Sequence, residues 1–398
     1  MRRRAFLHGC ALAAAAAPFR LWALPAPGPR FVFVLLRGGC DAASVLVPYR
    51  SGVYYDWRPG IAIARPGNGP DAADRLDDTW GLHPALRDSV LPLYRAGQAV
   101  FVPYAGSQDQ SRSHFHAQDV IELGQDYGPR IDYGSGFLNR AAEVLSRGAP
   151  RTGMSFTDDL PLAFKGRVTV ANVGLRHAAK SALNDRQAGL IEQMYQGTSF
   201  AGQVREGIGA RRQASEALQQ EMTDSARGAV NAKGFAQEAR RMARLMLENP
   251  ACALAFIDVG GWDTHVGQGG ARGQLADRLR GLGEGLGGFA QELGPAWRDT
   301  VVVVVSEFGR TVRENGNKGT DHGHGNVMWV LGGGIAGGRI VGEQVDLAAH
   351  TLFQNRDLPV LNEYRTLTGY VLARQYALSS ADLDYVFPGA KAARYPFL

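Results

Sequence analysis

The strand-like parts of this chain are unbroken apolar runs rather than alternating ones. Residues 31–36 (FVFVLL) run into Gly38-Gly39, and 99–104 repeat the pattern. A third run, 253–257, ends at Asp258; 301–305 are five consecutive valines; 327–331 close on three glycines. A strand without polar alternation is buried on both faces, as in a parallel sheet covered by helices. Between the third and fourth runs, Leu275, Leu279, Leu282, Leu286, Phe289 and Leu293 alternate spacings of four and three, one face of a long helix. Strand, long helix, strand is a βαβ unit.

A further helix is expected over 84–96, and 49–79, with many Pro, Gly and Asp, reads as a surface excursion. The stretch at about 180–249 is rich in Gln, Glu, Arg and Ala, and holds no strand-like run. It ends in a helical stripe of Phe235, Ala239, Met242 and Met246, stopped by Asn249-Pro250. The expected fold is α/β. A mainly parallel sheet is sandwiched by helices in a single domain over 27–398, with a helical insertion at about 180–249.

Composition sharpens this in two places. A chain of 398 residues that is 45% hydrophobic can build a full core, and its 51 glycines follow no repeat, which excludes collagen-like and low-complexity structure. The formal charge of +5 suggests nucleic acid until its location is read. Residues 1–26 carry Arg2, Arg3, Arg4 and Arg20 and no acid, and without those four the charge falls to +1. That leaves no electrostatic case for a nucleic-acid partner. Arg3-Arg4-Ala5-Phe6-Leu7 followed by an apolar run fits a twin-arginine export signal, with cleavage expected after Ala26. The run is too short to span a bilayer, and no later stretch is long and apolar enough. The mature chain is therefore expected in the periplasm or outside the cell, with the twin-arginine translocase as its partner during export. Cys40 follows the first strand and Cys252 opens a later one, so parallel strands would hold them apart as free thiols.

Ligands of open parallel sheets bind beyond the carboxyl ends of the strands. Here those ends lead into Asp41, into Ser111-Arg112-Ser113-His114-Phe115-His116, into Asp258 through Asp263-Thr264-His265, and into Glu307-Phe308-Gly309-Arg310. Asp321-His322-Gly323-His324 precede the last run. Carboxylate with imidazole and without thiolate suits Zn, Mn or another divalent ion. Taken singly, Asp41 reads as a turn or cap residue, Asp258 as a strand end, and Glu307 with Arg310 as an ion pair. One of His114 and His116 is structural, because the two cannot share a direction. The Asp263/His265 and Asp321/His322/His324 clusters carry the metal expectation.

The phrases LRGGCDAASVLVPY, SRSHFHAQDVIELG, GGWDTH, SEFGRT and GTDHGHGN resemble the exported bacterial family DUF1501, from Phe31 to near the C-terminus. That family is similar in turn to the alkaline phosphatase and sulfatase superfamily. The resemblance implies an α/β sandwich with one or two divalent ions (Zn, Mn, Mg or Ca). It gives metal-ligand roles to Asp41, Asp258, Asp263, His265, Glu307, Asp321, His322 and His324, and the nucleophile's role at a helix N-terminus to Ser111 or Ser113, with Ser113 preferred because it adjoins His114 and His116. Arg112 and Arg310 would grip anionic oxygens with their planar forks. The sequence departs from the superfamily in two places. Asp263 and His265 are separated by one residue where three are usual, and Phe308 stands where a histidine would pair with the strand-end acid. Two readings follow. One is a metal-dependent hydrolase of a phosphate or sulfate ester, small or polymer-borne. The other is a non-catalytic exported scaffold that binds a metal or a partner.

Overall fold

The computed structural model of the protein describes residues 28–126, 128, 131–148, 151–174 and 226–398. The expected export signal and the greater part of the expected insertion, up to residue 225, lie outside the described residues. The apolar runs form β1 (Arg30–Arg37), β2 (Ala99–Gly106), β4 (Cys252–Gly260), β5 (Thr300–Ser306) and β6 (Asn326–Gly332), with the shorter β3 (Thr152–Ser155) at one side. All residues of the five long strands are buried, which is why their sequences show no alternation. Across the sheet the order is β2-β6-β5-β1-β4-β3, extended by two-residue strands at both edges.

β1 pairs in parallel with β5 and β4, and β4 with β3. β6 runs against both its neighbours. The sheet is thus mixed and mostly parallel, and the reversed strand matters for the site. The parallel strands end level, with Leu36 beside Ser306 and Arg37 beside Gly260. β6 instead begins at that edge, with Asn326 beside Ala105. Residues 319–325 therefore reach the carboxyl edge by preceding a strand.

Alternate side chains of β1 enter two cores: Val32, Val34 and Leu36 one, Phe31, Phe33 and Leu35 the other. The helices are α1 (Val90–Arg95), α2 (His114–Leu123), α3 (Phe137–Leu145), α4 (Phe235–Glu248), α5 (Gln274–Leu293) and α6 (Tyr364–Tyr376). α1, α4 and α5 cover the first core, and α2, α3 and α6 the second. α5 carries a stripe of Gly281, Gly285 and Gly288. A Cβ there would stand 2.2 Å from the Ala232 carbonyl oxygen, 2.2 Å from the Phe235 ring and 2.7 Å from Arg240 Nε. α4, placed by the sequence at the tail of the insertion, is therefore pressed into the sandwich itself.

Two local expectations change. The helix over 84–96 divides into a 3-10 turn, Pro84–Leu86, and α1. Pro92 has no N–H for the Asp88 carbonyl, so a continuous helix cannot run through 87–89. The 49–79 excursion is not purely superficial. It holds a helix, Gly52–Trp57, and a strand of a small three-stranded sheet, and it buries Tyr54, Arg58, Ile61 and Ile63. Cys40 and Cys252 are buried free thiols at opposite edges of the parallel strands.

Candidate metal centre

The floor of the site is made by glycine and a strand-end carboxylate. Gly38 and Gly39 follow β1 at φ +121° and +68°, where a side chain would be strained. A Cβ on Gly38 would lie 2.5 Å from the Asp263 amide nitrogen, and one on Gly39 would lie 2.7 Å from the Phe308 ring. The turn aims both amides at Glu307, with Gly38 N–H donating to Oε1 (2.7 Å) and Gly39 N–H to Oε2 (3.1 Å). Gln118 Nε2 donates to Oε1 (2.9 Å) and Ser306 Oγ to Oε2 (2.9 Å). Burial works against the Glu307 charge, but His114, Gln118 and the Gly38 amide hold its carboxyl at about 2.

Above this floor three imidazoles point the same nitrogen at one place. His114 Nδ1 donates to Glu307 Oε1 (2.8 Å), His265 Nδ1 to Asp321 Oδ1 (3.1 Å), and His322 Nδ1 to the Arg112 carbonyl (3.0 Å). Each acceptor lacks a hydrogen, so in the neutral rings every Nε2 carries a lone pair. Yet His322 Nε2 is 2.9 Å from His114 Nε2 and 3.0 Å from His265 Nε2. Asp263 closes the group. Its Oδ1 is 2.9 Å from His265 Nε2 and 3.4 Å from His322 Nε2, and its Oδ2 is 3.4 Å from His114 Nε2. That Oδ2 is buried and makes no hydrogen bond.

Facing lone pairs repel unless a cation stands among them. Around a tetrahedral zinc at 2.0–2.1 Å, ligand atoms are about 3.3 Å apart. His322 Nε2 stands 2.9–3.4 Å from the other two imidazoles and from Asp263, close to that spacing, while His265 lies outside the group whose ligand atoms are all within 4.8 Å of one another. The Nδ1 partners are those that fix the tautomer and orientation of metal-binding histidines. Among the described residues, His114, Asp263 and His322 form the group able to hold a metal ion, with His265 beside them. Burial opposes charge on His114, but Asp263 and Glu307 push its pKa up to about 9. Burial, aided by the His114 and Arg310 charges, lowers His322, against the pull of Asp263.

The other residues singled out in the sequence stand nearby in different roles. Arg310 is buried, with Nη1 donating to Asp263 Oδ1 (2.7 Å) and its other nitrogens to Thr320. Asp41 is buried against Arg58, and Asp258 against Arg37 (2.6 Å), which also bonds Glu122 and Gln118. Asp321 orients His265 and accepts from Asn315. His324 packs its ring, tilted by 34°, 4.5 Å from that of Phe353, and is not part of the cluster. Ser113 is exposed at the N-cap of α2. Arg112, beside it at φ +53°, donates to Asp357 and Gln354. Phe308 packs its ring 4.8 Å from His114 and 5.1 Å from His322, a wall under both imidazoles. His116, bonded to Asp109 at 2.9 Å, is the structural member of its pair, and His114 faces the centre. Gln118 and Gln268 carried no signal in the sequence, since a buried amide reads like any polar helix or loop residue.

The fold and site define a mixed α/β sandwich with a histidine–aspartate cluster at its carboxyl edge. The family model DUF1501, described as a protein of unknown function, matches residues 29–387. The chain belongs to that family. No curated protein matches the sequence. Among solved structures it is similar to a protein in the alkaline phosphatase superfamily from Vibrio parahaemolyticus, at 11% identity and TM-score 0.36 over 78% of this chain and 61% of that one. It is similar to the lipoteichoic acid synthase LtaP from Listeria monocytogenes, at 8% identity and TM-score 0.38 over 91% and 76%. BT1596, a 2-O GAG sulfatase, is similar at 10% identity and TM-score 0.38 over 93% and 77%. Overlaps this loose assign no residue of the site. No helix among the described residues is long and apolar enough to cross a membrane.

Proposed function

We propose that the chain is an exported hydrolase that holds one divalent ion between His114, Asp263 and His322, with His265 beside it, and cleaves a phosphate or sulfate ester. The observation that carries this reading is the convergence of three Nε2 lone pairs on a carboxylate with an unbonded buried oxygen. The His114 and His322 nitrogens favour zinc over Mg or Ca, which take oxygen ligands. A bound ion would supply Lewis acidity to an ester oxygen and lower the pKa of a nearby hydroxyl.

The chain's own groups supply the rest. Ser113 is the nucleophile of this reading: it is exposed, directly precedes His114, and opens a ten-residue helix that no side chain caps. Such a helix start favours the anion that Ser113 would attack. Glu307, Asp321 and the Arg112 carbonyl keep the three imidazoles turned inward. Arg310 steadies Asp263 from behind, and Arg112 is tied to Asp357, so neither is spare for an anionic substrate. Anion recognition then falls to the ion and the helix start. The substrate is a small or polymer-borne anionic ester, and the location is the periplasm or outside the cell, reached through the twin-arginine translocase.

Purified protein assayed with nitrophenyl phosphate, phosphodiester and sulfate should hydrolyse at least one of them. Ser113→Ala and His322→Ala should each abolish that activity, only the second losing metal. Arg3→Lys with Arg4→Lys should leave the precursor in the cytoplasm. The same ion-paired state of Arg112 and Arg310, with Phe308 beneath the histidines, favours the second reading, a metal-binding scaffold without catalysis. A loaded protein inert toward every ester would establish it.

A further inference from the structure

The superfamily resemblance gives the acid after the first strand, Asp41, to a second metal ion, and the residues around it do not fit one. Arg58 forks onto both oxygens, Nη1 to Oδ2 at 2.5 Å and Nη2 to Oδ1 at 2.9 Å. Ser44 Oγ and Gln268 Nε2 each donate to Oδ2 at 2.7 Å. The Gln268 amide presents its nitrogen to Asp41, while Oε1 accepts from Thr264 and Thr320 (2.8 Å each). Arg58 is equally fixed: Nε donates to the Val312 carbonyl (2.6 Å), Nη2 to the Thr311 carbonyl (3.0 Å), and its side chain is 0% exposed. A cation entering here would meet N–H and O–H hydrogens rather than lone pairs. An arginine is never neutral, so the charge already present does not leave.

We infer that this edge is a single-ion centre, and that the Arg58 guanidinium occupies the place the resemblance would give to a second ion. The inference rests on the proposed function only in requiring the first ion. It also explains why the 49–79 excursion folds inward: burying Arg58 completes the charge balance of Asp41. The metal then has a fixed neighbour of opposite design, an acid neutralised by protein alone.

Native mass spectrometry of the full chain in excess zinc tests this. Wild type is expected to hold one ion. Two ions would overturn the inference while leaving the proposed function standing, and none would overturn the reading beneath it. Asp41→Asn combined with Arg58→Met removes both charges while keeping an amide for Ser44 and Gln268, and is expected to hold one ion still. Loss of that ion from a folded double variant would make Asp41 a ligand and contradict the inference. If that variant does not fold, Arg58→Lys, which keeps the charge without the fork, is expected to hold one ion; two would contradict it.

Discussion

Two buried aspartates stand at the same sheet edge with opposite surroundings. Around Asp41 every oxygen receives donors from the protein, and Arg58 cancels the charge. Around Asp263, Arg310 reaches only Oδ1, Oδ2 accepts no hydrogen bond, and the Nε2 atoms of three histidines stand within 3.4 Å of the carboxylate. The first cluster is complete without a ligand. Under the proposed function a cation completes the second, since a buried polar atom left unbonded costs about 1–3 kcal/mol. Burial and acidity are common to both, so neither distinguishes a structural cluster from a binding one. The distinction lies in whether the neighbours bring hydrogens or lone pairs.

The largest expected effect breaks the closed cluster. Arg58→Ala leaves Asp41 buried without its counter-charge and should cost about 3–5 kcal/mol, with or without chelator, in urea unfolding. A cost that appears only with metal present would erase the contrast. Next, His322→Ala should remove the metal-dependent part of stability. At zinc a thousandfold above its dissociation constant, that part is about 4 kcal/mol. The variant should melt alike with zinc or chelator, and a zinc-dependent melting shift equal to wild type would make His322 a bystander.

Acid and base separate the clusters further. His114 is raised to about 9 from an ordinary 6.5, so in chelated protein its contribution is fully present below pH 6.5 and lost as pH rises toward 9. About 3 kcal/mol should disappear across that window, and zinc should flatten the loss. Burial opposes the Asp41 charge, but Arg58, Ser44 and Gln268 lower its pKa below 3.8. Its contribution is present above that value and lost only as pH falls through the lower folded pKa. Denaturant melts from pH 3 to 9, with and without zinc, would show both windows or contradict the assignment. Smallest is Glu307→Gln, which weakens the acceptor behind His114 and should reduce zinc affinity about 10- to 100-fold by calorimetry. Unchanged affinity would mean that His114 is oriented by packing alone.

The strands were legible because burial on both faces writes itself as runs such as 301–305, with no alternation to misread. The reversed direction of β6 was not, since an apolar run carries no sign of its polarity in the sheet. That reversal is what brings Asp321 and His322 to the edge from the preceding loop. Asp263, His265 and His322 stood out through their glycine-flanked neighbours. His114 was half visible: the pair with His116 showed that one faces inward, but only the helix start at Ser113 decides which. The ion pairs of Asp41, Asp258 and Arg310 were hidden for a different reason. Their partners, Arg58, Arg37 and Asp263, lie 17, 221 and 47 residues away in the chain, and nothing local marks an arginine as buried. A motif gives the residue type that chemistry needs, while the state of that residue depends on what the fold places against it.

Anomalous diffraction at the zinc edge, from crystals of the zinc-loaded protein, reads the contrast between the two aspartates in one map. The account predicts a single peak per chain within about 2.0–2.2 Å of His114 Nε2, His322 Nε2 and an Asp263 oxygen, and no peak beside Asp41. A peak beside Asp41, or none among the three imidazoles, would contradict it.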